Sequence, residues 1–284
     1  MPELPEVETT KTSLLPLIDQ TVRHVQVNNA SLRWPIPADL NKLVGQKLIR
    51  LTRRSKYILA EFEQDSMLWH LGMSGSFRLC EPQDELRKHD HVVIQFEDFQ
   101  LRYHDPRRFG CILWLNESSQ SKLIDPLGPE PLSDAFNADY LEAKFKNKQI
   151  GAKVAIMDNH IVVGVGNIYA TESLFHLGIH PAQPVSSLSR QQIEKLVIEI
   201  KRILKHAINL GGSTLRDYTN AMGENGYFQQ TLLAYGRAGE MCINCETTLE
   251  NIKLGQRASV FCPQCQPLKA VKIATKKAIK SKKA

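Results

Sequence analysis

The sequence predicts an α+β protein made of several modules. These are an antiparallel β-sandwich with a helix at its amino terminus, a helical domain, and a small hairpin held by a metal. Three observations carry this expectation. Short β-type runs crowd the stretch from Val22 to Leu115, the apolar period turns helical beyond a Pro/Gly-rich break at residues 125–135, and two CxxC pairs close the folded part. With 284 residues, 42% of them hydrophobic and 23% charged, the chain is long enough for two or three modules with real cores.

At the start, Pro5 suits a first helical turn, where a missing N–H costs nothing. Val7, Leu14 and Ile18 give a rough helical stripe, and Pro16 marks a bend or an early end. The runs VRHVQV, KLIRL, YILAEF, SMLWHL, HVVIQF and CILWL follow, separated by turn residues. Their spacing leaves little room for the crossover helices that parallel pairing needs, so a sandwich or barrel with antiparallel strands is expected. Pro126, Gly128, Pro129 and Pro131 then break the pattern. Beyond them, helices are expected over Ala138–Lys148, Ala152–Met157 and Gly166–His176. The clearest helix starts at Ser189, which forms a capping box with Gln192. Its apolar face is Ile193, Leu196, Val197, Ile200, Leu204, Ala207 and Ile208, and Gly211 ends it. The expected divisions are 1–130, 131–234, 235–266 and a basic, disordered tail over 267–284.

The net charge is +6, yet seven lysines and no acids lie between Gln266 and Ala284, leaving the rest of the chain about one negative charge. A polyanion-binding face on the folded part must therefore come from local clustering. No apolar run approaches the ~18 residues of a membrane span. The opening MPELPEVETT is acidic rather than basic-then-apolar, so it does not read as a secretion signal, and an intracellular location is expected. Cys80 and Cys111 read as small hydrophobes in strands.

Cys242 and Cys245, sixteen intervening residues, then Cys262 and Cys265 form the strongest single motif. Two CxxC corners joined by a hairpin can place four thiolates on one tetrahedral Zn2+. With all four positions taken by cysteine no place is left for a catalytic water, so the metal is expected to be structural and needed for folding of this module. Disulfides or a redox pair are the alternatives, and both are less common inside cells. Gly255 offers the hairpin turn, and Arg257 beside it can fork onto phosphate oxygens.

Several motifs then point in one direction: PELPEVE at Pro2–Glu8, RRSKYIL at Arg53–Leu59, HLGMSG at His70–Gly75 and HDPRRFG at His104–Gly110. They continue with MDNHIVVGVGNIYATESLF at Met157–Phe175, GGSTLRDY at Gly211–Tyr218 and YGRAGEMC at Tyr235–Cys242. In this order they resemble the bacterial formamidopyrimidine-DNA glycosylases from end to end. The resemblance implies a β-sandwich, a helix-two-turn-helix domain and a zinc-finger hairpin, with damaged duplex DNA in the cleft between the halves. It implies a monomer without an organic cofactor. It also implies excision of oxidised purines, 8-oxoguanine and formamidopyrimidines, followed by β,δ-elimination at the abasic site, in base excision repair.

On this resemblance the catalytic set is Pro2, Glu3, Lys56 and Arg257. Once Met1 is removed, Pro2 carries a free secondary amine, and an α-amine titrates near ~8, far below lysine, so much of it is neutral at physiological pH. Its adduct with sugar C1′ is an iminium whose charge no N–H loss can relieve. Glu3 would move protons, and Lys56 would hold a phosphate beside the lesion. DNA contacts are expected from His70, Arg107, Lys153, Asn167 and Arg257, those of His70, Lys153, Asn167 and Arg257 to the phosphate backbone. For Asn167, the free N–H groups of a glycine-flanked helix start would form the seat.

Chemistry on a stacked nucleotide requires extruding it, at a cost of a few kcal/mol. Met73, Arg107 and Phe109 correspond to the residues that fill the resulting void, Met and Phe as plug and wedge and Arg on the orphaned base. Glu6, Thr214, Arg216 and Tyr218 correspond to the lesion pocket, within a loop at roughly 214–227. The lysine-rich end reads as a DNA-affinity extension or a passive solubilising tail. Two rival readings remain: the related branch acting on oxidised pyrimidines, and a catalytically inactive zinc-finger DNA-binding protein. The first departs from the PELPEV opening and the MSG and RRFG pair, and the second leaves Pro2, Glu3 and Lys56 unexplained.

Overall fold

A computed structural model describes residues 1–214 and 219–269. Helix α1 (Leu4–Ser13) opens the chain, with Pro5 in its first turn, and a 3-10 turn over Leu15–Leu17 follows it. Pro16 sits in that turn, so the early end suggested by the sequence is the outcome and Ile18 lies outside the helix.

Eight strands come next: β1 (His24–Val27), β2 (Leu48–Arg54), β3 (Tyr57–Phe62), β4 (Ser66–His70), β5 (Ser76–Cys80), β6 (Asp90–Gln95), β7 (Gln100–His104) and β8 (Cys111–Trp114). They form two four-stranded antiparallel sheets, β1-β6-β7-β5 and β2-β3-β4-β8. Of the sandwich and barrel alternatives, the sandwich is what forms. Strand β3 alternates buried and half-buried residues, as one face of a sheet packed on a core requires. Trp69, Phe77, Tyr103, Ile58 and Val92 fill the interior together with Val7 and Leu14 from the first helical segment. Cys80 and Cys111 are buried strand thiols as expected, and burial pushes Cys111 up to about 12. Strands β5 and β7 were not among the expected runs. Each carries an arginine that breaks its apolar pattern: Arg78 pairs with Asp90 on β6, and Arg102 donates to the carbonyls of Asp84 and Glu85.

A short turn of helix, α2 (Glu117–Ser119), leads through the proline break to α3 (Ala138–Phe145), α4 (Ala152–Ile156), α5 (Asn167–His176) and α6 (Arg190–Asn209). The Ser189–Gln192 box is present in both directions, at 3.3 and 3.0 Å. The apolar stripe of α6 packs into a second core with Tyr169, Leu174 and Phe228, while Gly211 ends the helix in the left-handed region at φ 74°. The last strands, β9 (Glu250–Leu254) and β10 (Arg257–Phe261), pair as a hairpin. Its turn residues Gly255 and Gln256 have φ 51° and 63°, the geometry of a two-residue primed turn.

Two anchors fix this hairpin module to the helices. The buried Glu172 carboxylate on α5 accepts the N–H groups of Leu233, Ala234 and Tyr235 at 2.9, 3.0 and 2.6 Å. Gln266 donates to the Ile179 carbonyl at 2.8 Å. Arg216 and Tyr218 of the expected lesion pocket, and the tail from residue 270, lie outside the described residues.

Candidate active site

The amino terminus is held by residues more than 160 positions away. Glu3 is buried, and its carboxylate accepts the N–H of Gly166 at 2.9 Å and of Ile168 at 3.0 Å. A carboxylate on the open N–H groups of a helix start is favoured by hydrogen bonding and by the helix dipole. Glycine is required at both positions of Gly164-Val-Gly166. A Cβ on Gly166 would overlap the Glu3 carboxyl carbon, and one on Gly164, at φ 77°, would lie 2.6 Å from Leu4 Cβ. The Leu4 N–H also donates to the Gly164 carbonyl at 3.1 Å. The seat that sequence reasoning reserved for a phosphate is therefore taken by Glu3. Gly166, not Asn167, is the cap; Asn167 is the first helical residue, and its half-buried side chain leaves Oδ1 without a partner among the described residues.

Glu6 completes the arrangement. Its Oε2 accepts the Glu3 N–H at 2.8 Å, and its Oε1 accepts the Tyr169 hydroxyl at 2.6 Å and the Ser213 N–H at 2.8 Å. Glu6 thereby joins α1, α5 and the start of the 214–227 loop. Thr214 sits at the base of that loop, with its N–H on Gln229 Oε1 at 3.0 Å and its hydroxyl accepting the Gly226 N–H at 2.8 Å. Pro2, buried, is the residue between Met1 and this anchored Glu3.

Three cations from three parts of the chain converge on the same place. Lys56 lies in the two-residue turn between β2 and β3, where Ser55 adopts φ 56°. That turn is braced: Glu130 accepts the Ser55 N–H at 2.6 Å and pairs with Arg53 at 2.8 Å and Arg54 at 3.1 Å, while Arg53 also reaches Glu8 at 2.7 Å. Desolvation lowers the Lys56 pKa against the opposing pull of Glu3 and Glu6, and the Arg257 charge lowers it further. The pKa of Glu3 is raised, by burial first, with Lys56 opposing and Glu6 assisting. A carboxyl shifted upward is suited to carry a proton nearer neutrality.

Arg257, exposed at the tip of the finger hairpin, is the third charge felt here. Lys153, expected to contact phosphate, is enclosed in the structure. It is 1% exposed, its ammonium donates to the Ala258 carbonyl at 2.7 Å, and burial depresses it to about 8. Its position on α4 ties the helical domain to the finger, immediately beside Arg257.

His70 ends β4 next to the Met73 turn. Gly72 N–H donates to Nδ1 at 2.9 Å, which leaves the ring proton on Nε2. Burial first, then the Lys56 and Arg33 charges, lower this histidine to about 4, so the ring offers a neutral N–H rather than a cation. Met73 is half-buried, and Arg107 and Phe109 are exposed, with the Arg107 guanidinium 4.9 Å from the Phe109 ring centre. None of the three is spent on the core.

The four cysteine sulfurs lie within 4.8 Å of one another, with Cys242–Cys265 at 3.9 Å, Cys245–Cys262 at 3.4 Å and Cys245–Cys265 at 3.3 Å. A tetrahedral ion with sulfurs at ~2.3 Å separates them by about 3.8 Å, so the cluster has the dimensions and the donor chemistry of a metal site. Sequence reasoning passed over Gly164 and Gly166 as helper glycines, and passed over Glu130 and Glu172. The only signal for the glycines was their pairing, which marks a close approach without naming the approaching group.

Comparison with known proteins agrees along the whole chain. Family models described as the formamidopyrimidine-DNA glycosylase N-terminal domain, the H2TH domain of the same enzymes, and the zinc finger found in FPG and IleRS match residues 1–112, 127–219 and 239–268. The formamidopyrimidine-DNA glycosylases of Acinetobacter baumannii and Acinetobacter baylyi are 79% and 78% identical, over 96% and 95% of this chain and 99% of each relative. A solved complex of Lactococcus lactis Fpg with DNA containing an abasic site has a TM-score of 0.86 at 32% identity, covering 93% of this chain and 99% of that one. The complex of the wild-type enzyme from that organism with N7-benzyl-Fapy-dG DNA also has a TM-score of 0.86 at 32% identity, covering 94% and 100%. The chain is a member of the formamidopyrimidine-DNA glycosylase family.

Proposed function

We propose that this glycosylase excises oxidised purines from duplex DNA and then cleaves the abasic strand, with the Pro2 amine as nucleophile once Met1 is removed. The observation that carries the reading is the seat of Glu3. It fixes the residue next to Pro2 where Lys56, Lys153 and Arg257 exert their charges. In the proposed sequence, the neutral amine attacks C1′ of the extruded nucleotide and the C1′–base bond breaks, with Glu3 moving protons at the sugar and leaving group. The C1′–O4′ bond then opens, its oxygen taking a proton, and leaves an iminium that acidifies the C2′ protons. Loss of one expels the 3′ phosphate, and a second elimination expels the 5′ phosphate. Lys56 and Arg257 hold the flanking phosphates, His70 adds a neutral N–H donor, and Asn167 adds a further backbone contact. Lys153 acts from beneath, as a buried charge that supports the finger. Met73, Arg107 and Phe109 occupy the space left by the extruded base, and Glu6 and Thr214 fix the root of the lesion-recognition loop.

The four cysteines would hold one structural Zn2+, which supplies cross-linking and no chemistry on the substrate. The proposed module divisions at about residues 130, 234 and 266 are supported by cores centred on the sandwich, the helices and the finger, with Ala221 joining the first and Phe175 and Ala234 the third. We take the protein to act as a monomer in the bacterial cytoplasm. Among the described residues no helix is long and apolar enough to cross a membrane. The tail adds phosphate affinity, so its removal should flatten the dependence of binding on salt.

Incubation with duplexes carrying 8-oxoguanine opposite cytosine, 5-hydroxyuracil or an abasic site, with borohydride present, tests the reading. A covalent adduct on Pro2 with the first and third is expected. Activity confined to the pyrimidine lesion overturns the substrate assignment, and an active protein that retains Met1 overturns the nucleophile.

A further inference from the structure

We propose that Asp105, acting through Ser74, is a positioning residue that joins the Met73 turn and the Arg107–Phe109 turn into one preformed wedge, so that base extrusion depends on it while the bond chemistry does not. The proposal rests on the void-filling assignment above.

Asp105 is fully buried between the two turns. Its Oδ1 accepts the Ser74 hydroxyl at 2.7 Å, from the Met73 turn. Its Oδ2 accepts the Gly110 N–H at 2.9 Å, at the end of the Phe109 turn, and the Tyr103 hydroxyl at 3.2 Å. Ser74 closes the link, because its oxygen also accepts the Arg107 N–H at 3.2 Å. One carboxylate and one hydroxyl thus touch both turns.

The backbones support the same joint. A Cβ on Gly72 would lie 2.7 Å from the Phe109 carbonyl oxygen, and one on Gly110 would lie 3.0 Å from Tyr103 Cζ and nearer still to its hydroxyl. The turns therefore meet backbone to backbone. The Asp105 main chain is also tied down, its N–H on the His89 carbonyl at 3.1 Å and its carbonyl on the His91 ring at 2.8 Å. Arg108, at φ 56°, turns the chain so that Arg107 and Phe109 lie exposed.

A wedge entering a base stack works only if it does not fold back under load. Without the Asp105–Ser74 joint the two turns can move independently, and ordering them must be done during insertion. Base release from a stacked, paired lesion would then slow. Elimination at an abasic site, which has no base to unstack, would not.

The test uses the full chain with S74A and D105N, in single-turnover reactions with the parent alongside. Excision from the 8-oxoguanine–cytosine duplex should fall about 10- to 100-fold, the worth of one buried charge-assisted hydrogen bond, while cleavage at a preformed abasic site stays within about threefold. With the cytosine replaced by an abasic analogue, the ratio of variant to parent excision should return towards one. Equal losses on lesion and abasic duplexes, or no loss in either variant, overturn the proposal. If D105N does not fold, S74A decides alone, since Ser74 is half-buried and its removal leaves the Gly110 bond in place. An unchanged excision rate for M73A and F109A overturns the void-filling assignment, and the proposal with it. A parent that cuts only the abasic duplex overturns the substrate reading instead.

Discussion

Gly166→Ala isolates the contribution of the Glu3 seat more cleanly than replacing Glu3. The backbone at Gly166, φ −111° and ψ −156°, is extended and acceptable to alanine, so the substitution introduces little intrinsic strain. What it introduces is a methyl group 2.7 Å from Glu3 Cγ and closer still to the carboxyl carbon. To restore ordinary contact the carboxylate must retreat by about 1 Å, which takes its bonds to Gly166 and Ile168 out of hydrogen-bonding range. Each bond to a charged group is worth about 1.5–3 kcal/mol, and water reaching the displaced carboxylate returns part of that, so a net loss of about 3 kcal/mol in stability is expected. A displacement of this size at a reacting group costs on the order of 100-fold in rate. Single-turnover excision of 8-oxoguanine and thermal melting measure the two effects. Gly45→Ala, where φ is 89° and no atom lies within 4 Å of a Cβ, is the control for backbone strain alone. A folded Gly166→Ala enzyme that excises within threefold of the parent would refute the claim that Glu3 is held for catalysis by this helix start.

Three further outcomes are expected. Lys153→Met removes an ammonium depressed to about 8, and between pH 8 and the ordinary lysine range the native parent binds fewer protons than its unfolded chain. Parent stability from this group therefore rises with pH, and the difference in Tm, variant minus parent, should fall between pH 7 and 10; a constant difference contradicts the burial. Glu130→Gln weakens the brace on the Ser55–Lys56 turn and should lower stability by about 2–3 kcal/mol, with slower abasic-strand cleavage; denaturant melts and cleavage rates check both. Chelation of the metal should release the finger and weaken DNA binding through loss of Arg257, while near-ultraviolet dichroism from the sandwich tryptophans persists; a simultaneous collapse of that signal contradicts separate cores.

What the sequence disclosed follows from the range of each interaction. The α6 capping box, the thiol corners and the turn at Gly255 are set by neighbours a few positions apart, and they could be read directly. Strands β5 and β7 were hidden because Arg78 and Arg102 find partners, the Asp90 carboxylate and the carbonyls of Asp84 and Glu85, that only the folded chain brings near. The site divides the same way. Pro2, Glu3 and Lys56 became candidates through the resemblance their motifs carry, whereas the use of the α5 start by Glu3 was not legible, since the contact spans 163 positions. The burial of Lys153 was not legible either, since nothing local reports that Ala258 comes to cover it.

The distance between Glu3 and its seat also orders events during synthesis. The nucleophile is among the first residues to leave the ribosome, and the N–H groups that hold its neighbour are made only after 160 more have been joined. Until then Glu3, next to Pro2, has no seat, and Arg257 has yet to be made. On the proposed mechanism, the geometry that cuts a DNA strand is thus completed only when the helical half closes over the beginning of the chain.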